Sequence, residues 1–287
     1  MTIEWGQRTY VMGIINVTPD SFSGDGLWSD RSWVDMSVAQ AERFVEEGAD
    51  ILDVGGESTR PGSTPVGLEM ELARVIPAIE AINKRVTVPL SVDTYRAAVA
   101  QAALNVGAGW INDVWGLRMD AKMVDVVARS GCFVIIMHNR SKPKDLAQEA
   151  RLGGRYVGVK YADLINDIRQ ELQYSIGLAL KSGVDPSQII IDPGIGFGKT
   201  TAQNVQLIDE LDKFTEMGFP ILLGPSRKSF IGYTLDLPPE ERVEGTAAAV
   251  AIGIDRGADI VRVHDVKEIS RVVRMTDRIV RQANLLD

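Results

Sequence analysis

The chain has 287 residues, a formal net charge of −8 at pH 7 and a single cysteine, Cys132. The length, with no Pro/Gly/Ser-rich linker, predicts one domain spanning residues 1–287. General nucleic-acid binding needs a basic face, so the acidic balance argues against it. One cysteine cannot form an intramolecular disulfide, which favours a reducing compartment. The amino-terminal sequence does not resemble a signal peptide, and no stretch approaches roughly 18 apolar residues. We therefore expect a cytoplasmic protein without a membrane segment.

Eight short apolar runs recur along the chain, and each ends in polar or charged residues. They cover residues 10–17, 51–54, 89–92, 110–111, 133–137, 189–191, 220–223 and 259–263. Runs of this length, separated by segments with helical periodicity, indicate buried parallel strands joined by crossover helices. Eight such units predict an α/β fold, a (β/α)8 TIM barrel. Active sites of this fold lie at the carboxyl ends of the strands, where these polar residues stand.

The connecting segments predict the outer helices. Apolar residues at helical spacing place helices at residues 32–47, 69–84, 156–182, 242–256 and 267–284. Pro77 should kink the second of them. Residues 140–155 are polar and contain glycine, which is typical of a mobile loop over the barrel mouth. The small residues at 245–250 predict close packing, which suits a subunit contact.

A glycine-rich segment, DPGIGFGKT at residues 192–200, follows the sixth run. The nucleotide P-loop requires a glycine where Pro193 stands, and the three glycines do not have the G-x-G-x-x-G spacing. We interpret the glycines as letting the backbone pass close to a flat ligand while Asp192 projects into the pocket. The alternative is a structural loop in which Asp192 caps a helix.

Three short hydrogen-bonding side chains, Asp93, Asn112 and Asp192, follow the third, fourth and sixth strands. Carboxylates accept from paired N–H donors, and an amide both donates and accepts, so the set suits a planar heterocycle. The alternative is that each Asp pairs with a Lys or Arg of the barrel. No His/Cys/Asp cluster has transition-metal spacing, which argues against a zinc enzyme.

Positive charge is concentrated at the seventh and eighth strand ends, in SRKS at residues 226–229 and at Arg262 and His264. In an acidic protein this pattern predicts an anionic substrate, although a solvated basic rim is the alternative. Alternation along the strand would direct Arg262 and His264 to the same side. The loops at residues 16–22 and 57–62 are rich in hydroxyl side chains and turn-forming residues. They are candidate lids over the site, and ordinary surface turns are the alternative.

Together these segments resemble the dihydropteroate synthases. The resemblance rests on MGIINVTPDSF at 12–22, GADILDVGGESTRPG at 48–62, SVDT at 91–94, INDV at 111–114, DPGIGFGK at 192–199, GPSRKS at 224–229 and RVHDV at 262–266. The motifs occur in the family's order, from the first strand to the eighth. The resemblance implies that the amine of 4-aminobenzoate displaces pyrophosphate from 6-hydroxymethyl-7,8-dihydropterin diphosphate. The product would be 7,8-dihydropteroate, made in folate biosynthesis with Mg²⁺ and in a homodimer.

The resemblance also implies roles for individual residues. The pterin contacts would be Asp93, Asn112, Asp192 and Lys228, with Met137, Phe197 and Arg262 lining the ring. Asn16 would be the Mg²⁺-pyrophosphate residue, and the anion contacts would be Thr59, Arg262 and His264. Positions beside the aminobenzoate would be Phe22, Pro61 and Ser229, with Arg60 in the second mobile loop. Catalysis would then rest on Asp93, Asp192, Lys228, Arg262 and His264.

The chain departs from the family's common pattern at residues 139–142, at Gln203 and at residues 23–27. Two other functions are alternatives to the synthase. A methyltetrahydrofolate-binding methyltransferase uses a similar barrel and related pterin contacts but releases no pyrophosphate, so the loop at 57–62 and the SRKS segment disfavour it. A catalytically silent pterin-binding protein is disfavoured by Asn16, Arg262 and His264, since binding alone needs no residues for a leaving group.

Overall fold

Eight short parallel strands form the centre of the computed structural model, which describes residues 3–17, 32–57 and 66–282. The strands are β1 (Tyr10–Asn16), β2 (Ile51–Gly55), β3 (Leu90–Asp93), β4 (Trp110–Asp113), β5 (Phe133–Met137), β8 (Ile189–Asp192), β9 (Leu222–Leu223) and β10 (Ile260–Val263). They pair in the order β8-β5-β4-β3-β2-β1-β10-β9. The ring is closed between β8 and β9, where Ile191 pairs with Ile221 and its N–H donates to the Pro220 carbonyl at 2.9 Å. The predicted barrel is confirmed.

Nine helices among the described residues surround the strands. They are α1 (Ser32–Glu46), α2 (Leu68–Asn83), α3 (Ala97–Asn105), α4 (Met123–Ser130), α5 (Leu164–Lys181), α6 (Thr201–Asp209), α7 (Ser229–Leu235), α8 (Val243–Asp255) and α9 (Val266–Val280). Pro77 lies inside α2, which continues on both sides of it. None of these helices is both long and apolar enough to cross a membrane.

Two segments were predicted wrongly. Residues 140–155 are not a structureless loop, because β6 (Leu146–Glu149) and β7 (Gly153–Tyr156) form an antiparallel hairpin there after a 3-10 turn. The long helix α5 begins at Leu164 rather than at residue 156, since Asp163 caps it by accepting from the Asn166 N–H. Tyr156 belongs to the hairpin, where it pairs with Leu146.

The hairpin is attached to the seventh barrel unit. The Tyr233 hydroxyl in α7 donates to the Gly153 carbonyl at 3.1 Å. Arg242, which is almost fully buried, donates to the carbonyls of Leu152, Leu237 and Arg227. One guanidinium therefore joins the hairpin to the segment that leads into Lys228.

The barrel interior below the mouth is filled by apolar side chains from seven of the eight strands, two of them from β1. The layer consists of Tyr10, Met12, Ile51, Trp110, Ile135, Ile190, Leu222 and Ile260. Successive side chains of a strand alternate between its two faces, so the residue two positions after each of these also faces inward, nearer the mouth. The larger apolar cluster fills the space between the strands and the helices. The interior is thus a packed floor beneath whatever binds at the strand ends.

Candidate active site

The two-residue alternation brings the predicted polar residues onto the inner face of the barrel. In β4, Trp110 belongs to the floor and Asn112 follows two positions later. In β8, Asp192 stands above Ile190, and in β10, Arg262 stands above Ile260. The parallel register also places Asn16, Gly55, Asp93 and Asn112 side by side across four strands.

Arg262 is fixed by two carboxylates from neighbouring strands. Its Nε donates to Asp53 Oδ2 at 2.6 Å, and its Nη2 donates to Asp93 Oδ2 at 2.7 Å. The guanidinium is planar, so two bonds on different nitrogens set both its position and its plane. Burial raises the pKa of Asp93 to about 7, while the Arg262 charge acts in the opposite direction. The predicted alternative of an ion pair is therefore realised for Asp93, inside the site.

Asp53 also orients Asn112, whose Nδ2 donates to Asp53 Oδ2 at 3.0 Å. Both residues are buried, and two of their acceptors, the second carboxylate oxygen Asp53 Oδ1 and the single side-chain oxygen Asn112 Oδ1, have no hydrogen-bond partner in the described part of the chain. A buried acceptor left unpaired costs about 1–3 kcal/mol. Two such acceptors at one barrel mouth are suited to a ligand that brings N–H donors.

Asp192 lies at the start of the glycine-rich segment and is almost completely buried. Its Oδ1 accepts from the Gly194 N–H at 2.7 Å. Gly194 has φ +75° and a Cβ there would lie 1.9 Å from the His138 carbonyl oxygen, so only glycine fits. Burial raises the pKa of Asp192, against the opposing charge of Lys228. The carboxylate accepts from the backbone of its own loop and does not cap a helix, whereas the close approach of this loop to a flat ligand stays a prediction.

Lys228 stands on the other side of that segment. Its Nζ donates to the Ile195 carbonyl and lies 4.5 Å from the centre of the Phe197 ring. Burial lowers the pKa of Lys228 to about 8, although Asp192 raises it. The structure therefore brings Asp192, Phe197 and Lys228 together, as the sequence predicted.

His264 is oriented by Ser226 at the seventh strand end. The His264 backbone N–H donates to Ser226 Oγ at 3.1 Å, and that oxygen lies 3.0 Å from His264 Nδ1. Next to it, Arg227 Nε donates to Asp265 at 2.9 Å. Arg227 is thereby engaged in an ion pair with Asp265, and His264 is held by Ser226.

The remaining predicted residues divide into two groups. Met137 is buried at the end of β5, where it pairs with Asp192 across the strands, and Ser229 is the first residue of α7. Asn16 ends β1 and is half-buried. Phe22, Thr59, Arg60 and Pro61 lie outside the described residues.

A metal ion at this mouth would have few protein ligands. In the described ranges no group of three His, Cys, Asp or Glu side chains has the arrangement of a metal site. Mg²⁺ commonly keeps several waters and binds through one or two protein oxygens together with substrate phosphates. The Asn16 carboxamide at the end of β1 is compatible with that kind of site and not with a closed protein cage.

Sequence reasoning missed two parts of the site. Asp53 lies within an apolar run and was not singled out, although its position two residues after Ile51 is the signal that it faces inward. His138 and Lys199 were also missed, and their side chains meet behind the glycine-rich segment at 3.0 Å. One departure from the family's pattern has a local explanation, and residues 23–27 lie outside the described residues. Gln203 forms a capping box with Thr200 at the start of α6.

Comparison with known proteins identifies the family of the chain. Residues 12–264 match the family described as pterin binding enzyme. The chain is 45% identical over 283 residues to the dihydropteroate synthase of Bacillus subtilis, covering 99% of this chain and 93% of the relative. It is 40% identical to the dihydropteroate synthase of Escherichia coli, covering 93% and 90% of the two chains.

Solved structures give the same result. A dihydropteroate synthase from Clostridium difficile, crystallised in the presence of pteroic acid, superposes with a TM-score of 0.89 at 44% identity and covers 98% of this chain and 100% of its own. The Xanthomonas albilineans enzyme in complex with 7,8-dihydropteroate has a TM-score of 0.83 at 40% identity and covers 96% and 94%. Because the family match extends from the first barrel strand to His264 after the last, this chain belongs to the pterin-binding enzyme family.

Proposed function

We propose that the chain is a dihydropteroate synthase, which condenses 6-hydroxymethyl-7,8-dihydropterin diphosphate with 4-aminobenzoate in folate biosynthesis. The amine nitrogen forms a bond to the pterin methylene carbon, and the bond from that carbon to the diphosphate oxygen breaks. Pyrophosphate leaves with the electron pair, and the amine loses a proton. The observation that carries the proposal is that heterocycle-binding acceptors and basic groups share one barrel mouth, joined at Arg262.

The acceptors suit the pterin. Its ring has an amino group and ring N–H groups along one edge, and Asp192 presents a carboxylate at the end of β8. Asn112 Oδ1 and Asp53 Oδ1 are buried acceptors with no partner among the described residues. A ligand that supplies donors to such atoms removes the cost of leaving them unpaired, which gives binding that depends on the ring's hydrogen-bonding pattern.

The charges suit the transition state. Positive charge develops on the pterin methylene as pyrophosphate departs, and the carboxylates of Asp93 and Asp192 are fixed near the ring site. Negative charge grows on the leaving group. Arg262 would stabilise it with a cationic guanidinium, and His264 would do so with an N–H donor. Groups held in place before reaction stabilise these charges without reorganisation. No nucleophilic side chain is required, because the aromatic amine attacks directly and must mainly be oriented.

Mg²⁺ belongs to the proposal as a partner of the diphosphate. Asn16 would hold it together with phosphate oxygens and water. When bound, the ion would supply charge neutralisation to the leaving group. Arg262 and His264 contribute their own share of that stabilisation from the protein side.

We also propose a cytoplasmic homodimer. The helix pair α8 and α9 exposes apolar side chains, with Ile252 48%, Met275 62% and Ile279 66% accessible. Met275 and Ile279 are one helical turn apart, so they form a continuous surface that a second copy would cover. The small residues of α8 allow it to pack closely against its neighbours, as at Gly253, where a Cβ would lie 2.1 Å from Leu223.

The buried free thiol of Cys132 is consistent with a reducing compartment.

The test of the reaction is direct. Purified protein is incubated with the pterin diphosphate, 4-aminobenzoate and Mg²⁺, and pyrophosphate and dihydropteroate are measured together. Both products should appear in equal amounts, and only when both substrates and Mg²⁺ are present. If folded protein makes neither but transfers a methyl group from methyltetrahydrofolate to a corrinoid protein, the proposal is wrong.

A further inference from the structure

The buried ammonium of Lys199 lies behind the glycine-rich segment and not in the substrate site. Its side chain is 2% exposed. Nζ donates to the carbonyls of Gly194 at 2.8 Å and Phe197 at 3.0 Å, two residues of the segment to which Lys199 itself belongs. The third neighbour of Nζ is His138 Nδ1 at 3.0 Å, at the end of the fifth barrel strand. The segment is therefore wrapped around the Lys199 amino group, whose pKa is lowered to about 7 by burial although Asp192 raises it.

The contacts of this cluster indicate which nitrogen of His138 carries the hydrogen. A lysine ammonium has three N–H donors, and Lys199 has three acceptors. The third acceptor requires a lone pair on His138 Nδ1, so the neutral imidazole carries its hydrogen on Nε2. That nitrogen lies 3.1 Å from Glu171 Oε2, and the other Glu171 oxygen accepts from Arg140 Nε at 2.6 Å. Burial and the Lys199 charge lower the pKa of His138 to about 3, which agrees with a neutral ring.

The backbone ties the same elements together. The His138 N–H donates to the Asp192 carbonyl at 2.9 Å, which continues the pairing of β5 with β8. Lys228 holds the intervening Ile195 carbonyl from the pocket side. Two lysines thus bind three carbonyls of the seven-residue loop at 192–198, and the contact of the Phe197 ring with Lys228 depends on this shape.

We propose that Lys199, held by His138, is a positioning residue that sets the conformation of residues 192–198 for pterin binding. The assignment rests on the proposed function, since it is the pterin site that the segment would build. Lys199 acts from behind the loop and not by contact with the substrate. Its contribution acts through Asp192 and Phe197, so loss of the ammonium should weaken pterin binding while leaving the anion site at Arg262 and His264 intact.

The first experiment compares Lys199→Met with the control Lys213→Met. Lys213 is exposed, so the control makes the same substitution away from the site. Affinities for 6-hydroxymethylpterin and for pyrophosphate are measured by calorimetry, and the melting temperature reports folding. We expect Lys199→Met to weaken pterin binding by about tenfold, the scale of one charge-assisted hydrogen bond. Pyrophosphate affinity should stay within about twofold, and Lys213→Met should match the parent. A folded Lys199→Met protein with parental pterin affinity overturns the proposal.

A pair of His138 variants tests the same point if Lys199→Met does not fold. His138→Asn places an amide oxygen near the Nδ1 position and keeps the acceptor for Lys199. His138→Gln places an amide nitrogen near the Nε2 position and keeps the donor to Glu171. We expect His138→Gln to lose about tenfold in pterin affinity and His138→Asn less than about threefold. Equal losses, or the reverse order, would show that the contact with Lys199 does not position the loop.

Nitrogen NMR separates this inference from the proposed function. The chain has 2 histidines, so the His138 ring signals can be assigned by comparison with a His138 variant. The spectrum should show hydrogen on Nε2 and a hydrogen-bonded Nδ1 whose shift changes in Lys199→Met. If Nδ1 carries the hydrogen, the inference fails even when the parent makes dihydropteroate. If the cluster is as described but no dihydropteroate is formed, the proposed function fails alone.

Discussion

Acidification from pH 7 to pH 5 should destabilise the fold through His138. Its ring is 1% exposed, and burial with the nearby Lys199 charge lowers its pKa to about 3. In the unfolded chain a histidine has a pKa of about 6.5. Between these two pKa values His138 is protonated in the unfolded chain but not in the native protein. The free energy of unfolding therefore falls as the pH falls.

The size of the effect follows from the linkage. Each pH unit below the unfolded pKa removes about 1.4 kcal/mol, so the roughly 1.5 units between pH 6.5 and pH 5 remove about 2 kcal/mol. Asp93 acts in the opposite direction. Burial raises its pKa to about 7, so its native state takes up a proton first and gains stability as the pH falls toward the unfolded value. The total pH dependence of the parent is therefore a sum, and only a comparison isolates His138.

The comparison uses His138→Asn, which removes the titrating ring and keeps an acceptor for Lys199. Urea unfolding of both proteins, followed by tryptophan fluorescence at pH 7 and pH 5, gives the stability lost on acidification. The parent should lose about 2 kcal/mol more than the variant. If both lose the same amount, or if the His138 ring titrates near pH 6.5 in the native protein, the assignment of a neutral buried histidine is refuted.

Three further outcomes are expected. Asp192→Asn keeps the size of the side chain but removes the carboxylate, so calorimetry should show pterin affinity lower by about 1.5–3 kcal/mol with little change for pyrophosphate. Unchanged pterin affinity at an unchanged melting temperature would mean that Asp192 is not a pterin anchor. Arg262→Lys keeps the charge but loses the planar fork that bonds two carboxylates, so pterin and pyrophosphate affinity should fall together, and selective loss of one would contradict the shared role. Titration of 4-aminobenzoate should show tight binding only after pyrophosphate or the pterin diphosphate is bound, whereas equal affinity for the free protein would exclude this order.

The barrel was predictable from the sequence because its signal repeats eight times. Each buried strand is a short apolar run, and a polar residue at its end marks the mouth, as at Asp93 and Asp192. Helices were harder where they are short. The helices α3, α4 and α7 were not predicted, and the segment of α6 gave only a weak signal, since seven to nine residues span too few turns for periodicity to stand out.

The site was predictable where a residue stands at a strand end, and less so where it depends on contacts between distant segments. Asp53 lies 209 residues before Arg262 in sequence, so no local pattern indicates that one guanidinium would join it to Asp93. The hairpin at 146–156 was missed because its strands have no apolar alternation, and its attachment to Arg242 comes from a contact across 90 residues. Contacts between segments distant in sequence therefore determine both the position of Arg262 and the position of the hairpin.

The attachment of the hairpin to Arg242 has a consequence for local opening. Tyr161, which follows the hairpin, donates its hydroxyl to the Gly198 carbonyl at 3.0 Å, while Arg242 holds the carbonyls of Leu152 and Arg227. Side-chain hydrogen bonds therefore join the hairpin region, the segment at 192–198 and the entry to α7. In native-state hydrogen exchange these three stretches should lose amide protection as one cooperative unit, with a common opening free energy, and a ligand bound against any of them would slow exchange in all three.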